Sequence, residues 1–378
     1  MSSIGSRVEM CLNILCNASN FQIFVNNLLR GKVVLPKKEC SSFVSIVGIL
    51  DNRVDLDSNI IPAAANKYFA SLCAMASKLA YENSQFIKHT VQNKWKMELL
   101  HSFSFKDDGT QGLVFLDKNR NPKRIVVAFR GTEPFNVEDW CTDIDISGYK
   151  LQGIKGRLHR GFAKALGLGL VHENEDDHAY ATITRLVIEH LKKNNDTTTR
   201  LIVTGHSLGG ALAVVFAAAL VMHDQIQLLE RLEAVYTFGQ PRVGNAEFGE
   251  FMEEQFKLYG VEYCRFVYNN DFVPRIPPDN SLFMYKHFGK CIYINSIYEA
   301  KIVKEEPLKN YFACGSGATR RIDAMWEIVR SFFLPRMFGE DYKEGLVQLM
   351  FRMFGLVFPG LPDHGPRDYV NATRLATY

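Results

Sequence analysis

The sequence predicts an α/β protein with a mostly parallel central sheet and helices on both of its faces. From about residue 110 onward, short apolar strands alternate with helical stretches, an order typical of parallel sheets because each crossover needs a helix. A buried strand at 201–204 also runs directly into Gly205-His206-Ser207-Leu208-Gly209 and then into an alanine-rich helix. Both observations favour the same layered architecture.

The individual elements follow from the spacing of the apolar residues. Residues 62–95 have apolar side chains at helical spacing, so one or two helices are expected before the sheet. Residues 112–116 and 124–129 flank a polar turn and predict a hairpin. Further strands are expected at 234–238, 262–268 and 290–294, and further helices at 176–194, 208–222 and 245–259.

The composition is that of an ordinary enzyme-sized protein. The chain has 378 residues, of which 47% are hydrophobic, enough for one large core or two smaller ones. A net charge of +3 without a basic block argues against nucleic acid as a partner. The cysteines have no paired spacing and the N-terminus has no convincing secretory signal, so we expect a reducing, cytosolic setting. The oligomeric state is not readable from the sequence.

The motif around Ser207 is a nucleophile elbow. A catalytic serine must lie on a sharp turn from strand to helix, so that its hydroxyl is exposed, and glycines must leave room where the two backbones meet. Gly205 and Gly209 fill those positions. The motif alone is weak, but its apolar strand and small-residue helix provide the required context. Ser207 is therefore the predicted nucleophile.

Chain order narrows the choice of acid and base, because the order in an α/β-hydrolase is serine, then acid, then histidine. Asp271 follows the strand at 262–268 and is the predicted acid, with Asp279 as the alternative and a turn-capping role as the other interpretation. His287 and His364 are the two histidines beyond Asp271. We favour His364 as the base because its Pro/Gly-rich loop can reach the elbow, whereas His287 leads into a strand.

An oxyanion hole needs N–H donors aimed at the attacked carbonyl. The amide of Leu208, directly after the nucleophile, is one expected donor. Thr132, in Arg130-Gly131-Thr132 at the end of the strand 124–129, is the other, through its amide and hydroxyl. A plain turn remains the alternative interpretation of this segment.

The sequence resembles the fungal-type class 3 lipases. The resemblance rests on five motifs in order: Phe129-Arg-Gly-Thr132, Gly205-His-Ser-Leu-Gly-Gly210, Thr237-Phe-Gly-Gln-Pro-Arg-Val-Gly-Asn245, Asn270-Asp-Phe-Val-Pro274 and Asp363-His364. The long N-terminal extension and the sequence after His364 resemble the plant oil-body lipases more narrowly. The resemblance implies an α/β-hydrolase domain over 101–378 after a partly helical extension over 1–100. It also implies the same catalytic residues, no metal or cofactor, a structural His159, and a lid at about 134–147 that is unusually acidic here.

Two stretches are rich in bulky apolar residues, 21–35 and a helical insertion at 322–361 before His364. The insertion predicts two amphipathic helices with basic flanks, and neither run is long enough to cross a bilayer. Contact with a membrane or lipid droplet and a purely internal cap are both compatible with this pattern.

The resemblance thus implies a triacylglycerol lipase at the surface of lipid droplets or on the cytoplasmic face of membranes. A phospholipase A1 or galactolipase, with the same chemistry on polar lipids, is the first alternative. A lipase-like scaffold without turnover is the second, and the presence of Ser207, Asp271 and His364 argues against it.

Overall fold

The computed structural model describes residues 9–14, 29–30, 37–56, 65–105, 109–132, 147–168, 178–195, 197–279, 284–311, 316–339, 342, 344 and 346–377. The strands, in chain order, are β1 (Glu98–Phe105), β2 (Thr110–Asp117), β3 (Arg124–Phe129), β4 (Gly148–Tyr149), β5 (Leu158–His159), β6 (Arg200–His206), β7 (Leu232–Phe238), β8 (Gly244–Asn245), β9 (Glu262–Tyr268), β10 (Tyr285–Lys286), β11 (Lys290–Ile294) and β12 (Ala300–Val303).

The helices, in the same order, are α1 (Ile46–Leu50), α2 (Ala65–Leu79), α3 (Ser84–His89), α4 (Arg160–Ala165), α5 (Ala179–Lys193), α6 (Leu208–Met222), α7 (Ile226–Leu229), α8 (Ala246–Tyr259), α9 (Ser316–Arg330), α10 (Leu334–Phe338), α11 (Leu346–Phe354) and α12 (Pro366–Leu375). There are also a π-helical turn at Thr90–Lys94 and 3-10 turns at Val273–Arg275 and Pro362–His364.

The main sheet has the strand order β1-β2-β3-β6-β7-β9-β11-β12. The strands from β3 to β11 are parallel, and antiparallel pairs close both edges. The predicted mostly parallel sheet and the β2–β3 hairpin are confirmed. The edge strands β1 and β12 were not predicted from the sequence, and neither was the small antiparallel sheet β10-β8-β5-β4.

Helices cover both faces of the sheet, as the α/β-hydrolase fold requires. Helix α6 lies in the hydrophobic core of one face together with side chains of α4, α5 and α8. Helices α2 and α12 bury their apolar sides in the core of the other face. The carboxyl ends of β6 and β9 meet at one edge of the sheet, where the elbow and the Asp271 loop begin.

The proposed boundary at residue 100 does not separate two units in the described part of the chain. Helix α2 supplies Phe69, Leu72 and Met75 to the core under the sheet, and β1 starts at Glu98. The extension was expected to lie outside the hydrolase domain because its helical period alone carries no information about which surface it covers. From Ala65 onward it is part of that domain.

The insertion expected at 322–361 forms α9, α10 and α11, and α9 and α11 lie against each other. Most of the other apolar stretch, 21–35, lies outside the described residues, where only Leu29 and Arg30 are described. Within the described residues, no helix combines the length and the apolar composition needed to span a bilayer.

Candidate active site

Ser207 lies on the turn between β6 and α6, with φ 59° and ψ −129°. This conformation is strained for a residue with a side chain, and it holds the hydroxyl outward at the edge of the sheet. A Cβ at Gly205 would lie 2.7 Å from the backbone nitrogen of Gly210, and one at Gly209 would lie 2.8 Å from the carbonyl carbon of Phe129. Glycine is therefore required at 205 for β6 and α6 to approach so closely, and at 209 for α6 to lie against the end of β3.

His364 lies between Ser207 and Asp271. Its Nε2 is 2.8 Å from the Ser207 Oγ, and its Nδ1 is 2.8 Å and 3.0 Å from the two Asp271 carboxylate oxygens. With the proton on Nδ1, the imidazole donates to Asp271 and accepts from the serine hydroxyl. The fold thus brings together the three residues that the sequence singled out, in the geometry of a nucleophile, a base and an orienting acid.

The Asp271 carboxylate is fully buried and held from two sides. Its Oδ1 accepts a hydrogen bond of 2.9 Å from the Val273 amide, and its Oδ2 accepts one from the Tyr369 hydroxyl. Burial and the neighbouring Asp271 charge raise the pKa of Tyr369 well above its ordinary value. The phenol therefore remains a donor, and the two hydrogen bonds hold the carboxylate in contact with His364.

His206, the residue before the nucleophile, helps to position the base His364 through a hydrogen bond to its backbone. Its Nε2 donates to the backbone carbonyl of His364 at 2.8 Å, and its Nδ1 accepts from the Tyr81 hydroxyl at 2.8 Å. Burial, together with the nearby His364 ring, lowers the pKa of His206 well below its ordinary value. A neutral ring fits this arrangement, because it has one donor and one acceptor nitrogen.

The two predicted oxyanion donors lie beside the nucleophile. Leu208 is the first residue of α6, where the first N–H groups have no partner inside the helix. Thr132 lines the same cavity as Ser207, and its buried Oγ1 has no hydrogen-bond partner among the described residues. The backbone approaches closely here, since a Cβ at Gly131 would lie 2.9 Å from the Cβ of Ser207. Both residues therefore remain candidate donors to a developing oxyanion.

The cavity above Ser207 has largely apolar walls. Part of the wall comes from α1, and part comes from α11 and the turn that contains His364. The apolar lining residues are Val47, Leu50, Val273, Phe351, Leu361 and Pro366. Such walls suit a hydrocarbon chain whose carbonyl group reaches the serine at the floor.

Asp363 ties the loop of the base to the loop of the acid. Its Oδ2 accepts hydrogen bonds of 3.1 Å from the Asn270 backbone N–H and from the Asn269 side chain. Burial and the nearby Glu327 charge raise the pKa of Asp363 well above its ordinary range. Because Asp363 and Asn270 immediately precede His364 and Asp271, this contact fixes the spacing between the two.

A buried ionic network under α11 anchors the same loop. Arg352 of α11 contacts Asp368 at 2.9 Å and also pairs with Glu327 and Glu344. Arg330 pairs with Glu327 from the side of α9. All of these groups are withdrawn from solvent, so the insertion is bound to the catalytic edge of the sheet through charged side chains.

The alternative residues lie elsewhere. His287 is buried and donates to the Pro274 carbonyl at 2.6 Å, and Asp279 lies 3.5 Å from Lys309. His159 stacks on Phe162 with ring centroids 3.9 Å apart, which suits the structural role implied for it. Of the acidic lid expected at about 134–147, residues 134–146 lie outside the described residues. Among the described residues, no group of three or more His, Cys, Asp or Glu side chains is arranged to hold a metal ion.

Comparison with known proteins agrees with the resemblance seen in the sequence. The family model described as lipase (class 3) matches residues 126–281. Triacylglycerol lipase OBL1 of Arabidopsis thaliana is 37% identical, covering 99% of this chain and 81% of the relative. Its namesake in Ricinus communis is 36% identical, covering 98% of this chain and 82% of the relative. The chain belongs to the class 3 lipase family.

Solved structures of this family are also similar. The triacylglyceride lipase of Rhizomucor miehei aligns with this class 3 lipase at a TM-score of 0.47 and 23% identity, over 62% of this chain and 80% of the other. The expected family is confirmed by the two full-length relatives, and the expected α/β-hydrolase fold is confirmed by the sheet and its helices.

Several residues of this class 3 lipase site were missed by sequence reasoning. Tyr81 belongs to no quoted motif, and the contacts of Asp363 and Tyr369 were not expected, because the partners of these three residues lie from 93 to 125 residues away along the chain. Val47 and Leu50 were assigned to an extension outside the domain. For His206, the one available sequence signal was its position between Gly205 and Ser207 in the motif.

Proposed function

We propose that this protein is a triacylglycerol lipase that hydrolyses acyl esters at the surface of lipid droplets through Ser207, His364 and Asp271. The observation that carries the proposal is the pair of hydrogen bonds from His364 to Ser207 and to Asp271 at the floor of an apolar cavity. An ester carbonyl is the natural electrophile for such a serine, and an apolar cavity accommodates an acyl chain.

In the first half-reaction, His364 Nε2 takes the Ser207 proton as the oxygen attacks the ester carbonyl. The tetrahedral oxyanion accepts hydrogen bonds from the Leu208 amide and from the amide and hydroxyl of Thr132. Asp271 stabilises the imidazolium that forms, without itself becoming protonated. His364 then gives its proton to the departing alkoxide, and the glycerol moiety leaves with one acyl group fewer.

In the second half-reaction, water replaces the alcohol. His364 takes a proton from that water, which attacks the acyl-serine carbonyl and forms a second tetrahedral oxyanion. Collapse of this intermediate breaks the ester bond to Ser207. The fatty acid leaves, and the serine proton is restored from His364.

The apolar face of the insertion supports action at a lipid surface. We use this name for the exposed apolar side chains of α9, α11 and the segments that follow each helix: Ile322, Met325, Trp326, Val329, Phe332, Phe333, Met337, Met350, Met353, Phe354, Val357 and Phe358. Soluble proteins rarely leave so many bulky apolar groups together in water. Their transfer to an acyl phase is favourable at about 25 cal/mol per Å².

The location of the apolar face next to the cavity further supports a lipid substrate. Phe351 lines the cavity above Ser207, while Met350, Met353 and Phe354 of the same helix are exposed. A lipid surface in contact with α11 would therefore lie beside the entrance to the catalytic serine. Lipid droplets are proposed as this surface because the relatives that match nearly the whole chain are named triacylglycerol lipases.

Replacement of the nucleophile tests the chemistry. Ser207→Ala should lower ester hydrolysis by about 10⁴-fold or more and abolish labelling by a fluorophosphonate probe, because the attacking oxygen is lost. His364→Ala should match this loss. The control is His287→Ala, which should label normally if it folds, and hydrolysis retained in Ser207→Ala would refute the mechanism.

A charge placed on the apolar face tests the site of action. Phe354→Asp together with Met353→Asp should shift the protein several-fold from floating droplets to the soluble fraction, because a carboxylate opposes entry into acyl chains. Hydrolysis of a soluble short-chain ester should persist.

The matched control is Leu258→Asp, since Leu258 on α8 is equally exposed but lies outside the apolar face. Droplet binding that is unchanged in the double variant would contradict the proposed surface. Purified protein that releases fatty acids from phospholipid or galactolipid vesicles faster than from triacylglycerol emulsions would instead support the alternative of a polar-lipid hydrolase.

A further inference from the structure

The N-terminal helix α1 forms a wall of the catalytic cavity. Val47 and Leu50 line this cavity together with Ser207 and His364, although they precede the nucleophile by more than 150 residues. Val47 also lies in a small apolar cluster with Ile46 and Tyr81. The helix therefore reaches the catalytic serine from a part of the chain that precedes the whole main sheet.

The start of α1 is fixed by the Glu82 carboxylate, which follows α2. One Glu82 oxygen accepts a hydrogen bond of 2.8 Å from the Ser45 amide, and the other accepts one of 2.6 Å from the Ser45 hydroxyl. Gly48 leaves no room for a side chain, because an added Cβ would lie 3.2 Å from the carboxyl carbon of Glu82 and closer still to its oxygen. The N-terminal end of α1 thus contacts this carboxylate directly.

The end of α1 is fixed by a buried ion cluster. Asp51, the residue after the helix, pairs with Arg53 at 2.8 Å and with Lys78 of α2 at 3.2 Å. The Lys78 ammonium also donates to the Asp51 carbonyl at 3.0 Å. With both ends held by buried polar contacts, α1 cannot move away easily when a substrate enters. An acyl chain that enters the cavity must therefore fit around the side chains of α1.

Helix α11 also contributes to the wall of this cavity. Phe351 and Gln348 of α11 line it together with Val47 and Leu50. The two helices are anchored independently, α1 through Asp51 and α11 through Arg352.

We propose that α1 determines the acyl-chain preference of this enzyme, with Val47 and Leu50 as the specificity-determining residues. This inference rests on the proposed serine ester hydrolysis. An acyl chain bound to Ser207 extends along the α1 wall, and the space left by these two side chains sets the length and bulk that the cavity accepts.

The test compares the unchanged protein with variants in which a larger or smaller side chain on α1 reduces or enlarges the cavity. Initial rates are measured on p-nitrophenyl acetate, butyrate, octanoate and laurate. Leu50→Trp should lower kcat/KM for octanoate and laurate at least about tenfold relative to acetate, because bulk in an apolar pocket rejects extra methylenes. Leu50→Ala should shift the ratio of laurate to butyrate in the opposite direction.

Ile49→Trp is the matched control, because Ile49 lies on the same helix and does not line the cavity. It should leave the chain-length profile unchanged. Labelling rates with short-chain and long-chain fluorophosphonates repeat the comparison without turnover, and thermal unfolding identifies any variant that fails to fold.

Equal loss on all four esters in folded Leu50→Trp, or the same shift in Ile49→Trp, would overturn the role of α1 while leaving the serine mechanism intact. Wild-type protein that neither hydrolyses any ester nor reacts with either probe would instead refute the proposed function, and the specificity assignment with it.

Discussion

Helix α6 and helix α11 differ in which kinds of side chain they bury. In α6, every residue from Gly209 to Leu220 is buried, and all of them are glycine or apolar. In α11, the buried positions include Gln348 and Arg352, whereas Met350, Met353 and Phe354 are exposed. The central domain thus buries its apolar side chains in the usual way. The insertion buries charges and leaves apolar groups outside.

The difference shows that two kinds of interaction orient helices in this protein. Helix α6 is held by apolar contacts on all sides, because it is packed between the sheet and the neighbouring helices. Helix α11 is held by Arg352, whose charge is tolerated inside only because Asp368, Glu327 and Glu344 surround it. An ionic anchor leaves the apolar side of the helix free for contact with another phase.

The largest expected effect comes from placing the same charge in the two regions. Val214→Asp in α6 should destabilise the protein by more than about 4 kcal/mol, since it buries an unpaired carboxylate in a fully buried position. Met353→Asp on the apolar face should change the unfolding free energy by less than about 0.5 kcal/mol. Urea denaturation measures both, and similar losses would mean that α11 is part of a closed core.

The next effect concerns the ionic anchor itself. Arg352→Met should cost about 3 kcal/mol of stability, because the buried carboxylates of Glu327, Glu344 and Asp368 lose the guanidinium that they share and keep only Arg330 or Arg367. Arg321→Met is the matched control on α9, where the side chain is exposed and a change within about 0.5 kcal/mol is expected. A neutral result for Arg352→Met would show that apolar contacts hold the insertion.

The smallest expected effect is a difference in acid sensitivity. Burial, reinforced by Arg265 and Arg242, lowers the pKa of His287 well below its ordinary value, and burial does the same for His206. Below about pH 6.5 the unfolded chain binds protons at these positions while the folded protein does not. The unfolding free energy should therefore fall as the pH falls, by up to about 1.4 kcal/mol per pH unit for each histidine.

The insertion should not share this sensitivity. Although burial opposes its ionisation, Glu344 has a pKa below its ordinary value because of the Arg367 and Arg352 charges, so it stays ionised until the solution is strongly acidic. Denaturation at about pH 7.5 and pH 5.5 measures the change in unfolding free energy per pH unit. His287→Gln should reduce this change by the contribution of one titrating histidine. An unchanged slope in a folded His287→Gln would show that His287 is not buried as a neutral ring.

Prediction from the sequence succeeded where short segments carry their own signal. The strands β6, β7 and β9, the helix α6 and the elbow all follow from local periodicity and glycine spacing, and they are found within a residue or two of the expected bounds. The choice of His364 over His287 used chain order and loop composition, and His364 is the one that contacts Ser207 and Asp271. Their catalytic roles stay predictions until the variants are measured.

Prediction failed where a residue's partner is far along the chain. The edge strand β1 has no regular alternation of buried and exposed residues and its register shifts between Leu99 and His101, so only pairing with β2 identifies it. The sequence predicted two amphipathic helices in the insertion, and the structure has three, α9, α10 and α11, of which α9 begins at Ser316. Periodicity could not decide whether the apolar side of the insertion faces the core or the solvent, since both arrangements have the same helical spacing.

The sequence by itself determined the order of the central strands and helices, the sharp turn at Ser207 and the identity of the candidate acid and base, because these follow from local spacing, loop composition and chain order. Only the tertiary structure decided that α1 and Tyr81 belong to the catalytic cavity, that Asp363 links the loops of Asp271 and His364, and that α11 turns its arginine inward. These features depend on which distant groups meet in space, and burial of a charge is favourable only once its partners are in place.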